Sequence, residues 1–191
     1  MRGSMVWMAC AAAVLAMAGV AEGRERDRQG DFNIFLGGGV GGFTGDLAAI
    51  TDAGPTWGLT VNVQPWNIIG YEISYDGARN QIDDEGLLTK PALTQHGLSG
   101  MVKLAPPFLE RVKPFVGLGL GASMLRVGSV AEGLYRNDLV EEVPMTAGIE
   151  FNSGAVTAGL RARYRVLFDE GFAGKREGNY LDGAVTLGAR F

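Results

Sequence analysis

The sequence predicts an all-β protein: an eight-stranded antiparallel up-and-down transmembrane β-barrel behind an N-terminal signal peptide. Three observations carry this expectation. The first two dozen residues have the layout of an export signal. Beyond Gly30, apolar and polar residues alternate with period two in eight segments. No apolar run after the signal approaches the roughly 20 residues that a membrane-spanning helix needs.

The N-terminus comes first. Arg2 supplies the positive charge, Met5 to Ala18 is an uninterrupted apolar and small-residue run, and Ala16-Met17-Ala18 is an A-x-A cleavage signal. Gly19-Val20-Ala21 and Ala21-Glu22-Gly23 serve equally well. The expected division is a signal peptide over 1–23, cleaved between 18 and 23, a short periplasmic segment over 24–30, and a barrel over 31–191. Cys10, the only cysteine, falls in the signal, and Trp7-Met8-Ala9 before it lacks the aliphatic residue of a lipoprotein signal. The mature chain is therefore expected to carry no disulfide.

Composition narrows the function classes. The chain is 47% hydrophobic and 20% charged, with 30 glycines but no G-X-Y repeat. That excludes collagen, and it disfavours long helices because glycine weakens their interiors. A net charge of −4 offers no electrostatic footprint for nucleic acid. The single histidine, His96, cannot build a zinc site without thiolates. No cofactor and no metal are expected.

The eight strands follow in order. The first sets Phe32, Ile34, Leu36, Gly38 and Val40 against Asn33, Phe35 and three glycines. The second sets Trp57, Leu59, Val61 and Val63 against Thr56, Gly58, Thr60 and Asn62. The third sets Ile69, Tyr71, Ile73 and Tyr75 against Gly70, Glu72, Ser74 and Asp76. The fourth is less regular, with His96, Leu98, Val102 and Leu104 against Gln95, Ser99 and Lys103. In the fifth, Val116 to Met124 alternates with Phe115, Gly117, Gly119, Gly121 and Ser123. In the sixth, Val143, Met145, Ile149 and Phe151 face away from Glu142, Thr146 and Glu150. The seventh is the most regular: Val156, Leu160 and Tyr164 alternate with Thr157, Arg161, Arg163 and Arg165. The eighth sets Leu181, Val185, Leu187, Ala189 and Phe191 against Asp182, Thr186 and Arg190.

The connections alternate as well. Long ones are expected at 43–55, 77–92, 126–141 and 168–179. Short ones are expected at 65–68 and 152–154, with an intermediate one at 105–113. Long loops at one end and short turns at the other are the pattern of outer-membrane barrels in Gram-negative bacteria. An even strand count puts both termini on the periplasmic side. Asp83-Asp84-Glu85 and the polar stretch 169–178 then face outside the cell.

Alternation alone does not say which face meets lipid. The glycines gather on the polar face, as the crowded inside of an eight-stranded barrel requires. Aromatic residues sit near the strand ends of the apolar face: Trp57, Tyr75 and Tyr164 toward the long loops, and Trp66, Tyr71, Phe151, Phe32 and Phe191 toward the short turns. That distribution makes two interfacial girdles in contact with outer-membrane lipids. Arg161, Arg163 and Arg165 must avoid hydrocarbon, where a mid-membrane Arg costs about 2–4 kcal/mol. Turned inward they meet Glu72 and Glu150. The expected lumen network is Glu72, Glu150, Arg161, Arg163 and Arg165, with Asp182, Arg190 and Lys103 as outer contributors.

Three stretches resemble the outer membrane protein β-barrel domain family, the small OmpA/OmpX-like barrels. They are Lys113 to Ala122, Met145 to Phe151, and Val185 to Phe191 with its terminal aromatic residue. The resemblance spans Asp31 to Phe191. It implies that Phe191, with Ala189 and Leu187, is part of the signal read by the outer-membrane assembly machinery. The family shares a fold and no single activity.

Two motifs mislead. Gly37 to Gly42 matches G-x-G-x-x-G and Gly117 to Ala122 matches G-x-G-x-x-A, but neither opens the helix that dinucleotide binding needs. His96 and Ser99 suggest a lipid hydrolase, yet residues three apart on a strand point to opposite faces. The leading expectation is a non-enzymatic barrel with a structural or surface-interaction role, whose extracellular loops carry any partner binding. The alternatives are a narrow pore lined by the Arg/Glu network and, behind it, a lipid-modifying enzyme.

Overall fold

The computed structural model describes residues 31–66, 68–82, 91–106, 111–127, 138–168 and 178–191. The signal peptide, the segment 24–30, the acidic run 83–85 and most of 169–178 lie outside these residues.

Eight strands form a closed antiparallel barrel in which each pairs with its sequence neighbours and β1 pairs with β8. They are β1 (Asp31–Phe43), β2 (Gly54–Gln64), β3 (Ile69–Gln81), β4 (Ala92–Leu104), β5 (Val112–Val127), β6 (Asp138–Ser153), β7 (Val156–Phe168) and β8 (Tyr180–Arg190). A 3-10 turn, Gly45–Ala49, interrupts the first long connection. Among the described residues no helix is long and apolar enough to cross a membrane.

The register sets the barrel's tilt. Partners can be followed from Phe32 through Val63, Tyr71, Val102, Leu118, Met145, Tyr164 and Leu181. The path returns to β1 not at Phe32 but at Gly42, a stagger of ten residues. For eight strands this stagger tilts them by roughly 40° and leaves an interior that side chains can fill.

The polarity is inside out. Leu120 is 73% exposed, Val40 68% and Ile73 61%, all on the outer face. Glu72, Lys103, Arg161 and Arg165 are each 4% exposed or less. A water-soluble barrel would bury the first set and expose the second. A contiguous apolar belt of this extent far exceeds the patches that soluble monomers carry. The outer surface is one that meets lipid.

Two features differ from expectation. The strands run further toward the long connections, which shrink to 44–53, 82–91, 128–137 and 169–179, and the intermediate connection is 105–111. The reason is a polarity inversion near that end. Above Tyr75 and Asp76, the inward positions turn apolar (Ala78, Leu93, Leu125, Val140) while the outward ones turn polar (Arg79, Thr94, Arg126). Alternation continues with its sign reversed, so it reads as a loop. The second difference is at the C-terminus. β8 ends at Arg190, and the Phe191 N–H donates to the Phe32 carbonyl at 2.8 Å, closing the last rung.

Local chemistry explains the turns and one irregularity. The β6–β7 hairpin turns on Gly154 at φ 61°, a left-handed conformation that glycine adopts without a Cβ clash. Pro144, inside β6, has no N–H to give. The β5–β6 pairing is broken at its level, between Leu118–Met145 and Gly121–Glu142.

Candidate functional site

The lumen is filled in three layers. The layer nearest the short turns is a four-charge cluster from β3, β4, β6 and β7. Arg161 grips Glu72 with two guanidinium nitrogens, Nη1 to Oε2 at 3.0 Å and Nη2 to Oε1 at 3.3 Å. The Lys103 ammonium donates to Glu72 Oε1 at 3.1 Å and to Glu150 Oε1. Two acids meet two bases, so the cluster is neutral. Phe35 and Phe115 close it from the side: Lys103 Nζ lies 4.4 Å and Arg161 Cζ 5.0 Å from the Phe115 ring centre. A cation over an aromatic face gains strength when it is desolvated, as here.

The middle layer holds Asp76, Glu142, Arg163, Arg165 and Asp182. Arg163 pairs with Asp76, and Arg165 Nη2 donates to Asp182 Oδ2 at 3.2 Å. Ser123 Oγ donates to Glu142 Oε2 at 2.6 Å, with Arg165 Nη1 4.0 Å from the same oxygen. Three acids face two bases, and a cavity of roughly 20 Å³, about one water, opens beside them between Thr56, Thr60, Asp76, Arg163, Arg165, Asp182 and Thr186, with Arg161 of the lower layer at its floor.

The top layer is apolar. Phe43, Ala78, Ile82, Leu93, Leu125, Val140 and Tyr180 form a buried cluster across the barrel mouth, and Leu47 of the 3-10 turn drops into it. The loop is held in place by polar ties. Asn80 Nδ2 donates to the carbonyls of Gly41 and Asp52 at 3.0 and 2.9 Å, and Tyr180 OH donates to Asn80 Oδ1 at 3.2 Å. Arg165 Cζ sits 4.4 Å from the Tyr180 ring centre and joins this layer to the one below.

Small residues make the layers fit. A Cβ on Gly121 would lie 2.7 Å from Ser99 Cβ and 3.0 Å from Glu142 Oε1, so only glycine leaves room for that carboxylate.

The sequence-predicted residues are distributed as follows. Glu72, Glu150 and Arg161 come together in the lower layer, and Arg163, Arg165 and Asp182 in the middle one. Lys103 is the hub of the lower layer rather than an outer contributor, because its long stem carries the ammonium between the two glutamates. Arg190 lies half-buried at the end of β8, opposite Asn33. Sequence reasoning left Asp76 and Glu142 out of the network although they share its face. It also passed over Phe35 and Phe115, the two large residues among the glycines of that face. That departure from the pattern was the available signal.

On the outer face, Trp66 and Tyr71 touch at 6.2 Å between ring centres, and Phe32 and Phe191 at 5.8 Å, near the short turns. Phe151 is exposed at the same end. Toward the long connections, Tyr75 OH and His96 Nδ1 share a hydrogen bond of 2.8 Å, and Trp57 lies edge-on to His96. Tyr164 OH accepts from Asn179 Nδ2 at 2.9 Å. Of the expected assembly-signal residues, Phe191 and Leu187 are exposed to the outside. Ala189 is not: it is covered by Leu36, Ala155 and Val156, since its single methyl is shorter than its neighbours' side chains. Ser99 faces the lumen and His96 the outside, so no nucleophile–base pair forms between them. Gly37 to Gly42 lies within β1 and Gly117 to Ala122 within β5.

No family model matches the chain, and no curated protein matches it in sequence. Solved structures do match. Ail, the attachment invasion locus protein of Yersinia pestis, crystallised with the heparin analogue sucrose octasulfate, superposes with a TM-score of 0.60 at 15% identity, over 85% of this chain and 99% of its own. Neisserial surface protein A superposes with a TM-score of 0.63 at 13% identity, over 84% of this chain and 97% of its own. The chain thus has the fold of small outer-membrane barrels.

Proposed function

We propose that this protein is an integral outer-membrane barrel of the small OmpA/OmpX-like kind, whose work is done by its external loops and not by its lumen or by catalysis. The observation that supports this most directly is the filled interior. Paired charges occupy the lower and middle layers, and Leu47 with its apolar neighbours occupies the mouth. With the lumen occupied by its own side chains and the belt facing lipid, the four long connections are the surface left for recognition. Phe191, with the exposed Leu187, is the proposed contact for the assembly machinery.

The charge of those connections indicates the partner. Across 44–53, 82–91, 128–137 and 169–179 the sequence carries nine acidic residues against four basic ones. Asp83, Asp84, Glu85, Asp169 and Glu170 are the densest part. Such a surface repels sulfated polyanions of the kind crystallised with Ail and suits a cationic or neutral partner.

The test uses the refolded barrel in lipid bilayers. It is expected to pass no steady ion current across a planar bilayer and to flow through a heparin column. It should be retained at low salt on beads bearing a polylysine peptide, and replacing 83–90 and 169–177 by Gly-Ser linkers should abolish that retention. Stable single-channel current would favour the pore, and unchanged retention after loop replacement would remove the loops from the mechanism.

A further inference from the structure

The upper rim of the barrel is chemically one-sided. The outward positions nearest the long connections are uncharged on β7, β8, β1 and β2: Phe168, Leu181, Gly42 and Pro55. On β3 and β5 the outward Arg79 and Arg126 are both exposed, with the uncharged Gln81 beyond Arg79, and the register pairs both arginines with Thr94 of β4. Two strand spacings put their backbones about 10 Å apart. The Arg126 side chain is turned back along its own strand, its Nε donating to Met124 Sδ at 3.2 Å. The outward carboxylate of the adjoining β6 is Glu141, paired with Ala122 four residues along β5 from Arg126.

Below the arginines lies an aromatic shelf. His96 stacks on Tyr75 at 6.1 Å with an interplanar angle of 18°, and Trp57 meets its edge at 6.2 Å. The shelf is built on Gly77. A Cβ there would stand 2.2 Å from the Trp57 indole, so the bare backbone lets the ring lie across β3. Lower still, Leu98 and Leu120 are 61% and 73% exposed to the belt. From top to bottom the face reads guanidinium, amphipathic ring, hydrocarbon. A membrane lipid with an anionic headgroup reads in the same order.

We propose that the β3–β5 face is a binding site for a phosphorylated lipid of the outer leaflet, with its phosphate on Arg79 and Arg126 and its acyl chains descending past the Trp57–Tyr75–His96 shelf. Guanidinium suits phosphate because its parallel N–H groups match two phosphate oxygens. Aromatic residues with polar tips fit the headgroup boundary. The proposal rests on the outer-membrane orientation above, with the long connections outside. It also gives the acidic loops and the basic rim separate roles: one faces the surroundings, the other holds the barrel to its own leaflet.

Trp57 is a local reporter. The Trp66→Phe variant of the mature chain leaves it as the sole tryptophan. This variant is refolded into phosphatidylcholine nanodiscs in which a fraction of the lipid is phosphatidic acid or phosphatidylcholine with brominated acyl chains. Quenching should show phosphatidic acid enriched about thirtyfold beside Trp57, the size that two arginine contacts give at a membrane surface. Arg79→Gln with Arg126→Gln should return the ratio to one, and Glu141→Gln should raise it. Millimolar inorganic phosphate should leave it unchanged, because the acyl chains contribute half the site. Equal quenching by the two lipids in a folded barrel would overturn the proposal alone. A chain that folds in plain buffer without lipid would overturn the membrane orientation and the proposal together. Enrichment that survives the double arginine variant would move the site elsewhere.

Discussion

The lower and middle layers of the lumen use the same residue types on the same faces, yet they solve different problems. Below, Glu72, Glu150, Lys103 and Arg161 cancel in charge, and Phe35 and Phe115 shut them in. Above, Asp76, Glu142 and Asp182 outnumber Arg163 and Arg165, and a water-sized cavity adjoins them. A buried charge is tolerable only when paired, and losing one partner leaves the other stranded in low dielectric. In the lower layer the two glutamates share Lys103 and Arg161, and only Arg161 reaches the cavity. In the middle layer the cavity can admit a water beside the carboxylates. The number of ion pairs therefore does not by itself set a layer's contribution to stability.

Four substitutions sharpen or break that contrast. Lys103→Met is expected to cost most, about 3–5 kcal/mol, because it leaves Glu72 and Glu150 to share Arg161 alone in the lower layer. Urea unfolding in lipid vesicles measures it, and a cost under about 1 kcal/mol would mean that the lower layer is not sealed. Next comes Leu160→Arg, beside Arg161 but on the opposite face, at about 2–4 kcal/mol. The same guanidinium is stabilising inside and costly outside, so a neutral result in the same titration would contradict the assignment of faces. Arg163→Met should cost less than Lys103→Met, about 1–3 kcal/mol, since the cavity beside Asp76 can hydrate the freed carboxylate. An Arg163→Met cost equal to or above that of Lys103→Met would reverse the comparison. The smallest effect is expected for Thr157→Ala. It removes a 2.7 Å hydrogen bond to Asn152 Oδ1 at the short-turn end, far from either layer, for about 1 kcal/mol or less.

The layers also show where sequence reading reached its limit. Alternation along β7 was enough to turn Arg161, Arg163 and Arg165 inward, because three charges spaced by two residues cannot share a face with lipid. It could not pair them. Lys103 sits 31 residues from Glu72 and 47 from Glu150, and its place between them follows from strand stagger and stem length. Leu47 lay in a segment read as a loop, and nothing in its neighbours announces that it caps the lumen. The upper strand ends were misread for a related reason: the sign of the alternation reverses there, with Ala78 inward and Arg79 outward.

What the sequence determined by itself was the eight alternating segments, the order of long and short connections, and the inward face of the mid-strand charges. Each of those follows from a local rule: period two along a strand, and the cost of charge in hydrocarbon. What the tertiary structure alone decided was which charges meet, where the lumen is plugged, and that Arg79 and Arg126 flank Thr94 on one side of the barrel. Those depend on the ten-residue stagger that closes the barrel, a property of all eight strands together that no single stretch of sequence carries.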